Sequence, residues 1–207
     1  SLKIDQKAWL KAYLKCLENA SRKTTPRLLN TIFFGGGTPS LMNPEVVSEI
    51  IDKIKSLWTV SNELEITLEA NPSSVEANKF KDYQLAGINR LSVGVQALNN
   101  VDLKRLGRLH SATEAINAVE ISNSIFSQTS FDLIYARQDQ TIDEWSAELE
   151  RALRLQTGHI SLYQLTIEQG TAFDSLYKNG KLRGLPTDDH SAVSYTHLRA
   201  HETDRHL

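Results

Sequence analysis

Five apolar, strand-like runs alternate with amphipathic helical stretches along this chain, and that alternation constrains the fold more than any other feature. Helical periodicity puts Trp9, Leu10, Tyr13, Leu14 and Leu17 on one face of a helix over 5–22, with Asp5 as its cap. A strand at 29–34 follows. The next helix is capped by Asn43, starts with Pro44, and turns Val46, Val47, Ile50, Ile51, Ile54 and Leu57 inward. Glu65–Glu69 alternates as a second strand stopped by Asn71-Pro72, and a helix over 73–85 closes at Gly87. Arg90–Val95, 129–135 and His159–Leu165 read as the other strands, with helices at 100–106, 112–122 and Thr141–Leu155 between them. A short helix at 172–178 comes next, and Thr187-Asp188-Asp189 reads as the start of another. Strands spaced in this way build βαβ units and a parallel sheet. The mostly apolar strand interiors point to a sheet covered on both faces. An open doubly wound sheet and a complete or partial (β/α) barrel both satisfy the pattern, and periodicity does not choose between them.

Composition narrows the function classes. At 207 residues the chain fits one large domain that buries roughly 70% of its unfolded surface. A formal net charge of −2 with interspersed signs gives no electrostatic case for nucleic acid or for an anionic membrane. No apolar run approaches the ~18 residues of a membrane-spanning helix. The one cysteine, Cys16, rules out an internal disulfide framework and suits the reducing cytoplasm. The chain opens on Ser1 and its one methionine is Met42, which reads as a product without its natural beginning. Ser194–Leu207 holds three of the six histidines and little apolar periodicity, which sets it apart from residues 1–193.

The first strand stops at Gly35-Gly36-Gly37, followed by Thr38-Pro39. Residues without Cβ let the backbone meet a ligand, and Pro39 fixes the exit. A tight strand-to-loop turn explains the glycines equally well on their own. The other strands also end in polar groups: Glu69 on the second, Gln96 on the third, Asp132 within the fourth, Gln164 and Thr166 on the fifth. In parallel α/β architectures the C-terminal strand ends face one way and form the active site. Two carboxylates, two carboxamides and glycine backbone on one rim suit a cationic, hydroxyl-rich small molecule. Taken singly, Glu69 reads as a solvated strand end and Asp132 as a cap or an ion-pair member.

Other motifs are excluded or point to structure. The glycines lack the Gly-Lys-Ser/Thr of a P-loop and the Gly-x-Gly-x-x-Gly spacing of a dinucleotide site. The basic stretch Lys104–His110 reads as a solvated helix face. Cys16, within an amphipathic helix, reads as a packed thiol. His197 and His201 stand at i and i+4, but no Glu follows the first histidine and the tail is compositionally foreign, so no metal site is assigned.

Six segments in order carry a family resemblance: Phe34-Gly-Gly-Gly-Thr-Pro-Ser40, Leu68-Glu-Ala-Asn-Pro72, Arg90-Leu-Ser-Val-Gly-Val-Gln96, Leu106-Gly-Arg-Leu-His110, Phe131-Asp-Leu-Ile-Tyr135 and Leu162-Tyr-Gln-Leu-Thr-Ile-Glu168. Over about residues 5–190 the chain resembles radical-SAM proteins of the oxygen-independent coproporphyrinogen III oxidase-like family. Glu69–Pro72 and Leu106–His110 resemble its haem chaperone branch more than its oxidase branch. The resemblance implies an α/β fold, a partial (β/α)6 radical-SAM barrel of parallel strands spanning 1–193, with S-adenosylmethionine and a [4Fe-4S] cluster. It places Gly36, Gly37 and Thr38 at the methionyl end of the ligand. Glu69, Gln96 and Asp132 become acceptors for its amino and hydroxyl groups, and Arg108 a fork of donors to its carboxylate.

The departures from the family matter as much. Its Cys-x3-Cys-x2-Cys cluster loop is absent, and Cys16 lies within the helix that follows that loop, so the first strand and the cluster loop are expected to be missing. Three thiolates normally hold such a cluster. The resemblance therefore implies a fragment that assembles no cluster, with no catalytic or metal-ligating residue assigned. Ala136-Arg137-Gln138-Asp139-Gln140-Thr141 replaces the family's Gly/Ala-Leu-Pro-Gly-Gln-Thr turn, and Gln169 stands where Pro commonly precedes Gly170. Residues 194–207 read as a non-native, vector-type tail. The complete protein is expected to bind haem and pass it to haem-accepting proteins. The alternative is oxidative decarboxylation of coproporphyrinogen III in porphyrin biosynthesis. A homodimer is compatible with both readings; neither nucleic acid nor an integral membrane segment is expected.

Overall fold

A computed structural model describes residues 4–155 and 158–187. Helix α1 (Gln6–Lys23) starts where the Asp5 carboxylate accepts the Ala8 amide, and strand β1 (Leu28–Phe34) follows. A single 3-10 turn, Pro39–Leu41, leads into α2 (Pro44–Leu57). Strand β2 (Thr59–Ala70) is twelve residues long, starting well before the alternation at Glu65. The stretch expected as one helix over 73–85 is two short helices, α3 (Ser74–Ala77) and α4 (Phe80–Leu85). Then come β3 (Arg90–Gln96), α5 (Asn100–Arg105), α6 (Ala112–Ile125), β4 (Gln128–Tyr135), α7 (Ile142–Leu153), β5 (His159–Gln164) and α8 (Ala172–Lys178). Ser111 and Thr141 form capping boxes with Glu114 and Glu144, which sets the starts of α6 and α7. Of the helix start read at Thr187-Asp188-Asp189, Asp188 and Asp189 lie outside the described residues, as does the tail 194–207.

All five strands are parallel and lie in chain order, β1-β2-β3-β4-β5. A doubly wound sheet reverses its strand order at a switch point. This sheet has no reversal and curls into a half-barrel, the geometry of a partial (β/α) barrel. The strands differ from the expectation of apolar interiors on both faces. On β3, Leu91, Val93 and Val95 are fully buried toward the helices, whereas Ser92, Gly94 and Gln96 line the cleft on the other face. β2 and β4 repeat the pattern, with Leu68 and Leu133 toward the helices and Glu69 and Asp132 toward the cleft. One apolar and one polar face per strand is what a sheet wrapped around a ligand space requires.

The main core lies between the sheet's convex face and the helices. Phe80, Tyr83, Leu91, Phe131, Leu133 and Trp145 are among its fully buried members. A smaller cluster joins Val46, Ile50 and Ile54 of α2 to Leu10 and Leu17 of α1. Trp9 and Tyr13, expected on the packed face of α1, are instead exposed, with their rings 5.9 Å apart. Together with the exposed Phe33 they flank β1 at the edge of the sheet.

Candidate functional site

The strand-to-helix turns at the C-terminal ends of the sheet enclose a polar cleft of about 180 Å³. Its first wall is the loop after β1. Gly36 and Gly37 take φ of +81° and +62°, left-handed backbone that a side chain tolerates poorly, while a Cβ at either position would meet nothing within 4 Å. Backbone conformation rather than lack of space therefore selects glycine here. Thr38 stands at the N-terminus of the 3-10 turn without a capping bond from its hydroxyl. Beneath the loop, buried Glu76 accepts from the Ser40 hydroxyl and from the Asn71 backbone N–H (3.1 Å). The single Tyr83 O–H proton is shared between the carbonyls of Ser40 (2.6 Å) and Met42 (2.8 Å). These bonds tie the turn after β1 to the turn after β2. Burial raises the Tyr83 phenol far above its usual range, so it remains a donor.

The second wall carries charge. Glu69, the penultimate residue of β2, accepts the Gly36 amide at 3.2 Å. Gln96 ends β3 with φ of +70°, and its carboxamide donates to Asp132 on β4. A register shift precedes it: Val93 pairs with Phe131 and Gln96 with Leu133, so β3 takes three steps to two on β4. Such a bulge re-aims the side chain that follows it. Burial pushes the Asp132 carboxyl above its ordinary range, against the bond from Gln96 and the nearby Arg108 charge. Arg108 lines the same cleft, and among the described residues no carboxylate lies within ion-pair distance of its guanidinium. His110 approaches the Val95 carbonyl at 3.2 Å, and its burial depresses the imidazole pKa.

The seven residues singled out from sequence sit at this end of the sheet. Gly37, Thr38, Glu69, Gln96, Arg108 and Asp132 line the cleft, and Gly36 joins it through Glu69. The fifth strand contributes differently from the expectation. Gln164 is exposed and lines a separate depression with Ala136 and Tyr177, because alternation along β5 turns Ser161 and Tyr163 to the cleft. Thr166 is exposed and does not line the cleft. Ser92, Ser161 and Tyr163 were missed; once the inward register was set by Gln96 and Asp132, counting back in twos finds Ser92.

Three kinds of comparison bear on this arrangement. The model of the Radical SAM superfamily matches residues 11–152. The protein named "Heme chaperone HemW" of Escherichia coli (strain K12) is 40% identical over 163 residues, 78% of this chain and 43% of that protein. The Haemophilus influenzae protein of the same name is 44% identical over 164 residues, 79% and 42% of the two chains. "Radical S-adenosyl methionine domain-containing protein 1, mitochondrial" of Dictyostelium discoideum is 40% identical over 202 residues, 93% and 45%. The chain thus spans less than half the length of these relatives. Among solved structures, coproporphyrinogen III oxidase (HemN) from Escherichia coli superposes with a TM-score of 0.81 at 22% identity, covering 96% of this chain and 46% of that one. The archaeal Methanocaldococcus infernus Elp3 gives 0.60 at 18% identity, covering 86% and 46%. Both structural likenesses bear on the fold alone.

Proposed function

The chain belongs to the radical SAM superfamily, and from that premise we propose that its polar cleft holds S-adenosylmethionine within a haem chaperone of this class. The observation that carries the ligand assignment is the convergence of Glu69, Gln96, Arg108 and Asp132 opposite the glycine loop in one cleft. In this reading the loop backbone at Gly36 and Gly37 and the Thr38 hydroxyl hold the methionyl end. The Arg108 fork, which has no carboxylate within ion-pair distance among the described residues, takes the ligand's carboxylate. Glu69, Gln96 and Asp132 accept from the amino group and the ribose hydroxyls, and the two carboxylates balance the sulfonium charge. Bound there, the ligand supplies an adenosyl group on a positively charged sulfur.

Superfamily membership also implies a [4Fe-4S] cluster. The residues present do not fit one: Cys16 is the sole cysteine and is exposed on α1. Among the described residues no group of three His, Cys, Asp or Glu could hold a metal ion. A cluster of this kind takes several cysteine thiolates, which this sequence does not supply. Residues 1–193 are read as one core, with 194–207 as a non-native tail.

Haem delivery is favoured over porphyrinogen oxidation by two things. The relatives named as haem chaperones are 40% and 44% identical, and Glu69–Pro72 and Leu106–His110 resemble that branch more than the oxidase branch. Haem, haem-accepting proteins and a homodimer are the partners of this reading. Among the described residues no helix is long and apolar enough to cross a membrane; the lone cysteine suits the cytoplasm. The deciding experiment uses the complete parent protein with haem and, separately, with coproporphyrinogen III. Stoichiometric haem binding without porphyrinogen turnover is expected. Formation of protoporphyrinogen would overturn the chaperone reading in favour of the oxidase.

A further inference from the structure

Behind the cleft wall, outside the cleft itself, a buried ionic cluster grips the backbone that follows Gln96. Glu148 of α7 is 9% exposed, and one of its oxygens accepts the Leu98 N–H at 2.6 Å. The Leu98 carbonyl accepts from Arg151, one turn along the same helix, at 3.0 Å. Both polar groups of the Leu98 backbone are therefore held by α7 side chains. The other Glu148 oxygen meets the guanidinium of Arg137, which is 3% exposed and also reaches Asp102 of α5 at 2.9 Å. Arg137 follows β4 five residues after Asp132, and Leu98 follows β3 two residues after Gln96. Glu148 thus bridges the segments that leave the two strands whose side chains bond each other in the cleft.

This matters because Gln96 is not in a relaxed conformation. A non-glycine residue at φ +70° persists where its surroundings over-determine it. The bulge before it and the clamp after it supply that constraint. A carboxylate with little access to water is costly unless paired and hydrogen-bonded, and Glu148 is both.

We propose that Glu148 is a positioning residue: by holding Leu98, with Arg137 as its counter-charge, it fixes Gln96 in the left-handed conformation that aims its carboxamide at Asp132 and the ligand. The role in ligand binding rests on the S-adenosylmethionine reading of the cleft; the role in orienting Gln96 does not.

The test uses the 207-residue chain with Glu148→Ala, Glu148→Gln, Arg151→Met and, as a destabilising control on the same helix, Leu149→Ala. The first readout is the side-chain amide signal of Gln96 in a ¹⁵N–¹H spectrum, and the second is the affinity for 5′-methylthioadenosine, which has no amino acid group. Glu148→Ala is expected to move the Gln96 signal to the position of a free carboxamide and to weaken binding by about fivefold, the size of one lost bond. Glu148→Gln, which keeps an acceptor for Leu98, is expected to preserve the signal. Leu149→Ala is expected to lower stability while leaving both readouts unmoved. Should Glu148→Ala not fold, exposed Arg151→Met is expected to shift the Gln96 signal in the same direction. An unmoved Gln96 signal in folded Glu148→Ala, or in Arg151→Met where Glu148→Ala does not fold, overturns the proposal, and so does an equal shift in Leu149→Ala. Failure of the wild-type chain to bind the nucleoside would count against the ligand reading, with the Gln96 signal still deciding the role of Glu148.

Discussion

The carboxylate of Glu69 accepts the backbone N–H of Gly36 at 3.2 Å. That bond joins the ends of two neighbouring strands and leaves acceptor capacity facing the cleft. Replacement of Glu69 by Gln keeps an oxygen for Gly36 and removes the charge that would face a sulfonium or ammonium group. Thermal unfolding is expected to change little, within about 0.5 kcal/mol for a partly exposed site. S-adenosylmethionine affinity is expected to fall roughly tenfold. Equal affinity in calorimetry would remove Glu69 from the site.

Gly37→Ala isolates backbone strain from crowding. The added methyl meets nothing within 4 Å, but φ of +62° disfavours it. A loss of about 1–2 kcal/mol in denaturant-induced unfolding is expected. No loss would show that the loop relaxes freely to another conformation and is not a preformed wall.

These residues also show where the sequence was legible. Apolar runs ending in glycine or a polar residue located all five strands, and local caps at Asp5, Ser111 and Thr141 explain why the helix starts were close. Glu69, Gln96 and Asp132 were found because each ends or interrupts an apolar run. The two-faced character of the strands was harder to see. Ser92, Ser161 and Tyr163 alternate with apolar neighbours, and a serine or tyrosine in a strand gives no sign of whether it faces a ligand space or a helix. Gln164 was misplaced for the same reason, since a one-residue change of register moves a side chain to the other face. The Glu148–Arg137–Asp102 cluster joins residues up to 46 apart, and no local pattern reports such pairing.

Asp132 should trade stability for binding. Its carboxyl has a raised pKa in the folded chain, chiefly through burial. Protonation therefore favours the folded state, and this contribution is lost as pH rises from the ordinary carboxylate value near 3.8 through the raised one. Asp132→Asn is expected to raise the melting temperature at neutral pH by a few degrees, about 2–4 °C per kcal/mol at this chain length. The same variant should bind S-adenosylmethionine less tightly. A lowered melting temperature would mean that the charge is better solvated than its place on β4 indicates.

His110 acts in the opposite direction. Burial depresses its pKa; the Arg108 charge adds to this, while the Val95 carbonyl and Glu114 oppose it. A lowered histidine pKa contributes stability that is present above the unfolded value of 6.5 and is lost as pH falls through the folded one. His110→Gln is expected to flatten the stability profile as pH falls below the ordinary histidine value of 6.5. An unchanged slope in unfolding experiments below that value would place the acid sensitivity elsewhere.

Arg108 bears most directly on what the cleft binds, because its guanidinium has no carboxylate partner among the described residues. S-adenosylmethionine titrated calorimetrically into the wild-type chain and into Arg108→Met is the deciding measurement. Saturable binding to the wild type, weakened at least tenfold or so in Arg108→Met with the melting temperature held, is the expected result. No saturable heat from the folded wild-type chain, or equal affinity in both, would contradict the assignment of this cleft to S-adenosylmethionine.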